Sequence, residues 1–429
     1  MSHSHGVCAE VYQNEYLPQG GRLVDAVVAV TAEGGPGGGV PSAAQVIVID
    51  CSASMAFPHT KMPEARRATA AAIDALRDGV AFAVVAGTDE ARMVYPAEPV
   101  LVPASADTRA RAHAAVQALT ANGGTRIGRW LTLANELLTG RAEIKHAILL
   151  TDGKNDRETP EELREVLNAC TGNFVCDSRG VGRDWRATEL LIVAEALLGT
   201  ADGLTDPADL TKDFRAMTEK VMGKVLTDVT LRLWTPAGAV IRFLKEVYPQ
   251  ILDLTERRIE VSPRIGEYPI GAWGAESRDY HLCLEVEPGQ VGEEMLAARV
   301  SVVQHSATLA EGLVLAVWTD DEERATQIST RVAHYTGQAE LAAAIQEGMA
   351  ARSAGDIEVA TAKLGRAVQL ANESGHADTA KLLARVVDVD KERGTIRLRK
   401  RSDNADVDVD AEVATVRSIR TTPSRDHPE

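Results

Sequence analysis

Gln45-Val-Ile-Val-Ile-Asp50-Cys-Ser52-Ala-Ser54 opens as an apolar run without alternation and ends in a turn that carries one carboxylate and two hydroxyls. A run of that kind reads as a strand buried on both faces, the signature of a parallel sheet covered by helices. Val80 to Val85, leading into Ala86-Gly87, repeats the pattern, and so does Ile144 to Leu150, leading into Thr151-Asp152. Helical stretches lie between and after them: Glu64 to Arg77, Thr108 to Leu119, Pro160 to Cys170, Arg186 to Leu198, and one from Asp206-Pro207 to about Met222. Thr159-Pro160-Glu161-Glu162 combines an N-cap, a proline at the first helical position and a capping-box glutamate. The alternation predicts an α/β domain over residues 43–224, with a doubly wound, mostly parallel, Rossmann-like sheet.

The texture changes outside that block. Residues 225–319 hold alternating strands such as Val229 to Trp234, Tyr280 to Val286 and Gly312 to Trp318, which predicts an antiparallel β-sandwich. The N-terminal segment 7–33 alternates too, over Arg22 to Thr31, and is followed by the glycine-rich linker Gly34 to Gly39. It is expected to complete the sandwich, leaving the α/β domain as an insertion. In 320–390 the period is helical again, ending in a stretch from Ala377 to Val387 and broken at Gly355-Asp356 and Gly375-His376, so helical hairpins are expected. Ala350 to Ala360 faintly resembles a tetratricopeptide repeat, but fewer than two repeats are visible and a small bundle is the better reading. Lys391 to Arg401 is basic, Asp403 to Glu412 acidic and Arg417 to Glu429 polar, and no core is expected over 391–429: the sequence predicts a disordered tail.

Composition bounds the function. Acidic residues outnumber basic ones 62 to 46 over 429 residues, a formal charge of −16, which disfavours nucleic acid and anionic membrane as partners. No leader-like h-region or apolar run long enough to span a bilayer is apparent, so no membrane insertion is expected. Five cysteines, Cys8, Cys51, Cys170, Cys176 and Cys283, form an odd and sparse set that reads as reduced thiols in a cytoplasmic protein.

Loops at the carboxyl ends of parallel strands converge on one sheet edge, where open α/β folds place ligands. Asp50, Ser52 and Ser54 belong to that edge, and Asn122-Gly-Gly-Thr125 and Asp152-Gly153 are expected to reach it. Two carboxylates and three hydroxyls are hard oxygen donors. They suit Mg²⁺ or Mn²⁺, and Ca²⁺ less well. A cation with so few protein charges around it keeps an exchangeable position and attracts a carboxylate from another molecule. The competing reading has Asp50 and Asp152 as helix caps and the serines as turn residues, but caps do not require five oxygen side chains on one edge.

Asp50-x-Ser52-x-Ser54, Thr125 and Asp152-Gly153 together resemble the metal-ion-dependent adhesion site of von Willebrand factor A domains, and the resemblance covers about Ala43 to Lys224. It implies Asp50, Ser52, Ser54, Thr125 and Asp152 as metal ligands, direct or through water. Arg179-Gly-Val-Gly-Arg-Asp-Trp185, Tyr268 to Trp273 and Arg278 to His281 look like a bacterial, largely actinobacterial subgroup. Relatives of that kind accompany Ser/Thr kinases, PP2C-type phosphatases and FHA-domain proteins, which implies a signalling or assembly role.

Enzymatic readings fare worse. Phosphotransfer on Asp50 wants a second carboxylate two residues on, where Ser52 stands. No Gly-x-x-x-x-Gly-Lys-Ser/Thr loop or Gly-x-Ser-x-Gly elbow occurs, and His146, the alternative to His59 as a triad base, lies inside an apolar run. Cys170 and Cys176 lack further zinc ligands, and His3 and His5 sit near a terminus. The expected function is a non-enzymatic, metal-dependent interaction module that binds a partner's Glu or Asp carboxylate. The alternative is a substrate-recruiting subunit of an AAA+ ATPase or Ser/Thr kinase-containing machine. Thr421 and Thr422, beside basic residues in the expected free tail, are candidate phosphorylation sites.

Overall fold

Ala43–Asp50 is buried along its whole length and lies inside a sheet ordered Ala201–Leu204, Val175–Val181, Ile144–Thr151, Ala43–Asp50, Ala81–Gly87, Ala91–Tyr95. The first five strands are parallel, while Ala91–Tyr95 and the short Val102–Pro103 run antiparallel to Ala81–Gly87. This computed structural model describes residues 6–34, 40–182, 185–373, 383, 387–390, 395–398 and 412–424. Helix Lys61–Ala75 packs on Leu210–Met222 and Ala106–Gln117, and helix Ile127–Leu138 packs on Pro160–Cys170. The chain order reverses between Ala43–Asp50 and Ile144–Thr151, so the crevice beyond their carboxyl ends is the switch point of the fold.

The local signals explain most of these elements. The Thr159 hydroxyl accepts from Glu162 N–H at 3.2 Å while the Glu162 carboxylate accepts from Thr159 N–H at 2.8 Å, and helix Pro160–Cys170 begins there. Helix Lys61–Ala75 starts one turn before Glu64, with Pro63 inside its first turn, where an N–H has no intrahelical partner anyway. Two elements are absent from the sequence-based expectation, one without a cap signal despite an apolar face at Ile127, Trp130, Leu131, Ala134, Leu137 and Leu138, the other without an apolar pattern. Helix Ile127–Leu138 has Arg126 at its N-cap with no side-chain cap bond. Strand Val175–Val181 carries Asp177, Ser178 and Arg179, which look solvent-facing in sequence but are satisfied inside: Asp177 by His146 at 2.9 Å, Ser178 by Leu190 O at 3.1 Å and Arg179 by Asp213 at 2.6 Å.

The described residues divide into two compact units, one drawn from 40–224 and 385–417, the other from 1–39, 225–384 and 418–429. The second unit holds two sheets. Val7–Gln13, Leu23–Ala32, Glu276–Glu285, Val240–Tyr248 and Leu252–Asp253 form one. Ile259–Ser262, Ile265–Trp273, Leu226–Trp234, Glu294–Gln304, Ala307–Thr319 and Tyr16–Pro18 form the other. Pairing is antiparallel except where Tyr16–Pro18 joins Val317 to Thr319 in parallel. The N-terminal strands thus share a sheet with strands beyond residue 225. Helices Thr330–Ala354 and Ile357–Glu373 form a hairpin turned by Gly355 at φ +82°, a left-handed position that favours glycine.

The expectation of a disordered tail over 391–429 is corrected for the described part. Val387–Asp390 and Thr395–Leu398 pair as antiparallel strands, so Val387 opens a strand instead of closing a helix. Residues 412–417 are helical, with Val413, Ala414 and Val416 buried, the Glu412 carboxylate accepting from Ala187 N–H at 2.6 Å and Arg417 pairing with Asp202 at 2.9 Å. Those three apolar side chains are diluted in a long polar window, yet they suffice once a surface exists to receive them. The acidic run from Asp403 falls mostly, and the expected helix from Ala377 largely, outside the described residues.

Thr421 and Thr422 are not in a free tail either. Thr421 N–H donates to Pro249 O at 3.1 Å with its hydroxyl buried, and Gln338 brackets the Thr422 backbone, accepting from its N–H at 2.8 Å and donating to its carbonyl at 3.0 Å. The Thr422 side chain is exposed. Among the described residues, no helix is long and apolar enough to cross a membrane.

Candidate metal centre

Asp50 ends its strand fully buried, and the turn that follows folds back on it. Asp50 Oδ1 accepts from Ser52 N–H at 2.7 Å, and Oδ2 accepts from the Thr151 hydroxyl at 2.7 Å. Ser52 and Ser54 hydroxyls lie 2.9 Å apart, and Ser54 donates to Asp152 Oδ1 at 2.7 Å. Thr125 closes the group from the third loop: a Cβ added to Gly153 would stand 3.0 Å from Thr125 Oγ1 and 3.4 Å from Ser54 Oγ. All five residues singled out from sequence therefore converge on one small volume, with Ser52 and Thr125 nearly as buried as the aspartates.

Backbone bonds hold the loops in that register. Cys51 N–H donates to Gly87 O at 2.7 Å, Asn122 N–H to Cys51 O at 2.6 Å and Ala53 N–H to Gly123 O at 2.9 Å. Gly124 N–H donates to the Asp89 carboxylate at 2.7 Å. Gly123, at φ +94°, lets the Asn122 to Thr125 loop turn that tightly. Beneath it, the Trp130 indole covers Gly87, where a Cβ would come within 2.3 Å of the ring, and its N–H donates to Thr88 O at 2.7 Å.

Lys61 is the residue that sequence reading missed. Its ammonium sits 2.5 Å from Asp152 Oδ2, with the side chain almost wholly buried. A lysine at the mouth of a helix ordinarily reads as solvated. The one available signal is that Lys61 immediately precedes the apolar stripe Met62, Ala65, Thr69 and Ala72, all buried. Gly182, which opens space for the lysine stem, belongs to the segment Arg179 to Trp185, and Trp185 in turn packs flat on Gly180 and Gly203.

The donor chemistry fits a hard divalent cation. Among the described residues, no group of three or more His, Cys, Asp or Glu side chains is placed to hold a metal ion. What this crevice offers is hydroxyl oxygens backed by two carboxylates, a set suited to Mg²⁺ or Mn²⁺. His146 is buried against Asp177 at 2.9 Å, and His59 is exposed with its ring tilted against that of Phe57 at a centroid distance of 4.6 Å. Cys170 and Cys176 are buried free thiols.

Burial, and after it the charge of Asp152, pushes the Asp50 carboxyl up to about 6 from its ordinary 3.8. An acid whose folded value is raised ionises first in the unfolded chain, so the metal-free fold loses stability as pH climbs from about 4 past 6. A bound cation favours the ionised carboxylate and offsets that loss. Addition of Mg²⁺ is expected to raise Tm by roughly 5 °C more at pH 8 than at pH 5. Calorimetric scans with equal shifts at the two pH values would rule out this linkage.

The von Willebrand factor type A domain profile matches residues 44–202, and the profile of the von Willebrand factor type A C-terminal domain matches residues 369–407. A solved von Willebrand factor type A protein from Catenulispora acidiphila is 49% identical, with 99% of this chain and 98% of that one covered at a TM-score of 0.91. The ArnB paralog VWA2 from Sulfolobus acidocaldarius is 14% identical with a TM-score of 0.59 over 97% and 98% of the two chains, a likeness of fold alone. An uncharacterised protein of Synechocystis is 25% identical over 215 residues, and the chain spans 49% of its length.

Proposed function

Because this chain belongs to the von Willebrand factor type A family, whose domains are in general metal-dependent interaction modules and not enzymes, we propose that residues 43–224 grip a glutamate or aspartate of a protein partner through a divalent cation. The observation that carries this reading is the state of the two carboxylates. Each of their four oxygens already accepts from the chain: Asp50 from Ser52 N–H and the Thr151 hydroxyl, Asp152 from Ser54 and Lys61. The Lys61 ammonium offsets one of the two carboxylate charges, so little net negative charge meets an incoming cation.

Ser52, Ser54 and Thr125 would supply the hydroxyl ligands, with Asp50 and Asp152 acting directly or through water. Mg²⁺, or Mn²⁺, with Ca²⁺ less suitable, supplies when bound an exchangeable position for a carboxylate oxygen from outside. Ser54 is the least buried of the five, and Phe57, three residues beyond it, is 67% exposed and would give the partner an apolar foothold. The proposal extends to a cytoplasmic setting, supported by the five free cysteines, and to partners among Ser/Thr kinases, PP2C phosphatases or FHA-domain proteins.

The test is capture of partners from a lysate on immobilised wild-type protein and on Thr125→Ala, in Mg²⁺ and in EDTA. Loss of one supporting hydroxyl is expected to cut retention about tenfold, and EDTA to remove it. A partner held equally with and without metal ends the proposal. An ATPase or kinase retained stoichiometrically would assign the module to a larger machine.

A further inference from the structure

Lys61 is a fixed cation built against the candidate metal ligands, and its placement is not incidental. Its backbone N–H donates to Pro58 O at 3.0 Å, its ammonium meets Asp152 Oδ2 at 2.5 Å, and the side chain is 3% exposed. The stem runs beside Gly182, where a Cβ would come within 2.6 Å of Lys61 Cε and 3.1 Å of Nζ. A side chain larger than hydrogen at 182 would collide with it. A buried ammonium is costly to desolvate unless it stays on a carboxylate, so this ion pair is a standing part of the site.

We infer that Lys61 acts as a resident counter-cation that sets the charge of the metal centre: it weakens uptake of the divalent ion and strengthens the hold of the loaded site on an incoming carboxylate. This rests on the metal-dependent reading above. Asp50, Asp152 and Lys61 carry −1 between them when ionised, so a divalent cation brings this group to +1. A partner carboxylate then restores neutrality. With Lys61 made neutral, the same group starts at −2 and is neutral once loaded. The ion is held more tightly, and a third carboxylate arrives at a site with no charge left to satisfy. Lys61 thereby moves binding strength from the metal to the ligand, which suits a centre that must remain avid for an acidic side chain.

The experiment uses full-length wild type, Lys61→Gln and Lys61→Met at neutral pH, with folding verified by circular dichroism. Free Mn²⁺ is counted by electron paramagnetic resonance during titration. Acetate, the carboxylate probe, is then titrated onto the Mn²⁺-loaded protein and followed by the fall in water-proton relaxation enhancement. Both variants are expected to bind Mn²⁺ about tenfold more tightly and acetate about tenfold more weakly than wild type. Lys61→Gln keeps an amide donor and loses only the charge, so a Gln variant matching wild type in both titrations overturns the inference, as does weaker Mn²⁺ binding by a folded variant. Failure of wild type itself to take up Mn²⁺ would overturn the metal reading on which the inference stands.

Discussion

Asp50→Asn is expected to bind Mn²⁺ or Mg²⁺ at least about a hundredfold more weakly than wild type while keeping its fold, since loss even of a group that only orients a ligand costs about 10- to 100-fold. The substitution is nearly isosteric and removes one of the two carboxylate charges in the crevice. Its amide oxygen can still accept either from Ser52 N–H or from the Thr151 hydroxyl, the two nearest of the donors that Asp50 now satisfies. One of them loses its partner, a local cost of about 1–3 kcal/mol. Against that, a carboxyl whose ionisation burial already opposes is gone. Apo stability near neutral pH should therefore change little, and metal titration isolates the charge. A folded Asp50→Asn protein that takes up Mn²⁺ as wild type does would show that the cation, if bound at all, lies elsewhere.

The sheet and the five oxygen donors were legible because both announce themselves through chemistry that has few other uses. Ala43–Asp50 and Ile144–Thr151 are largely apolar strands, and their ends coincide in the parallel sheet, Ile49 pairing with Leu150. Asp50 and Asp152 then cannot avoid the same edge. What stayed hidden depends on partners supplied from afar. Strand Val175–Val181 reads as polar until His146, Leu190 O and Asp213 receive its side chains. Lys61 reads as a surface lysine until Gly182, more than a hundred residues later, makes a slot for its stem.

Residues Arg179 to Trp185 illustrate the same point, because as a family signature they invite a functional reading. Their described members instead wedge Trp185 onto Gly180 and Gly203, and bury Arg179 against Asp213. Gly182 lies beside the metal centre, next to the Lys61 stem. In the other unit Arg278 has a comparable part: its guanidinium lies 4.4 Å from the Trp273 ring centroid and donates to Ile270 O at 2.8 Å, tying two strands together.

Trp130→Ala is expected to be the most destabilising single change in the α/β unit, costing about 3–5 kcal/mol, the usual range for a buried tryptophan. The indole is fully buried and fills the space that Gly87 leaves open. A void of that size adds a cavity term to the lost transfer energy. A second consequence reaches the site. Thr88 O accepts from Trp130 Nε1 at 2.7 Å and from Arg126 N–H at 3.2 Å, so one carbonyl anchors both the helix and the residue next to Thr125. Without the indole, Thr125 loses its fixed approach to Gly153, and Mn²⁺ affinity should fall about tenfold even where the protein remains folded. Urea unfolding followed by circular dichroism gives the first quantity and Mn²⁺ titration the second. Trp130→Phe, which retains most of the ring volume but not the N–H, separates them: stability should largely return while affinity recovers only in part. A loss below about 1 kcal/mol in the alanine variant would mean that the void collapses and that Gly87 is glycine for some other reason.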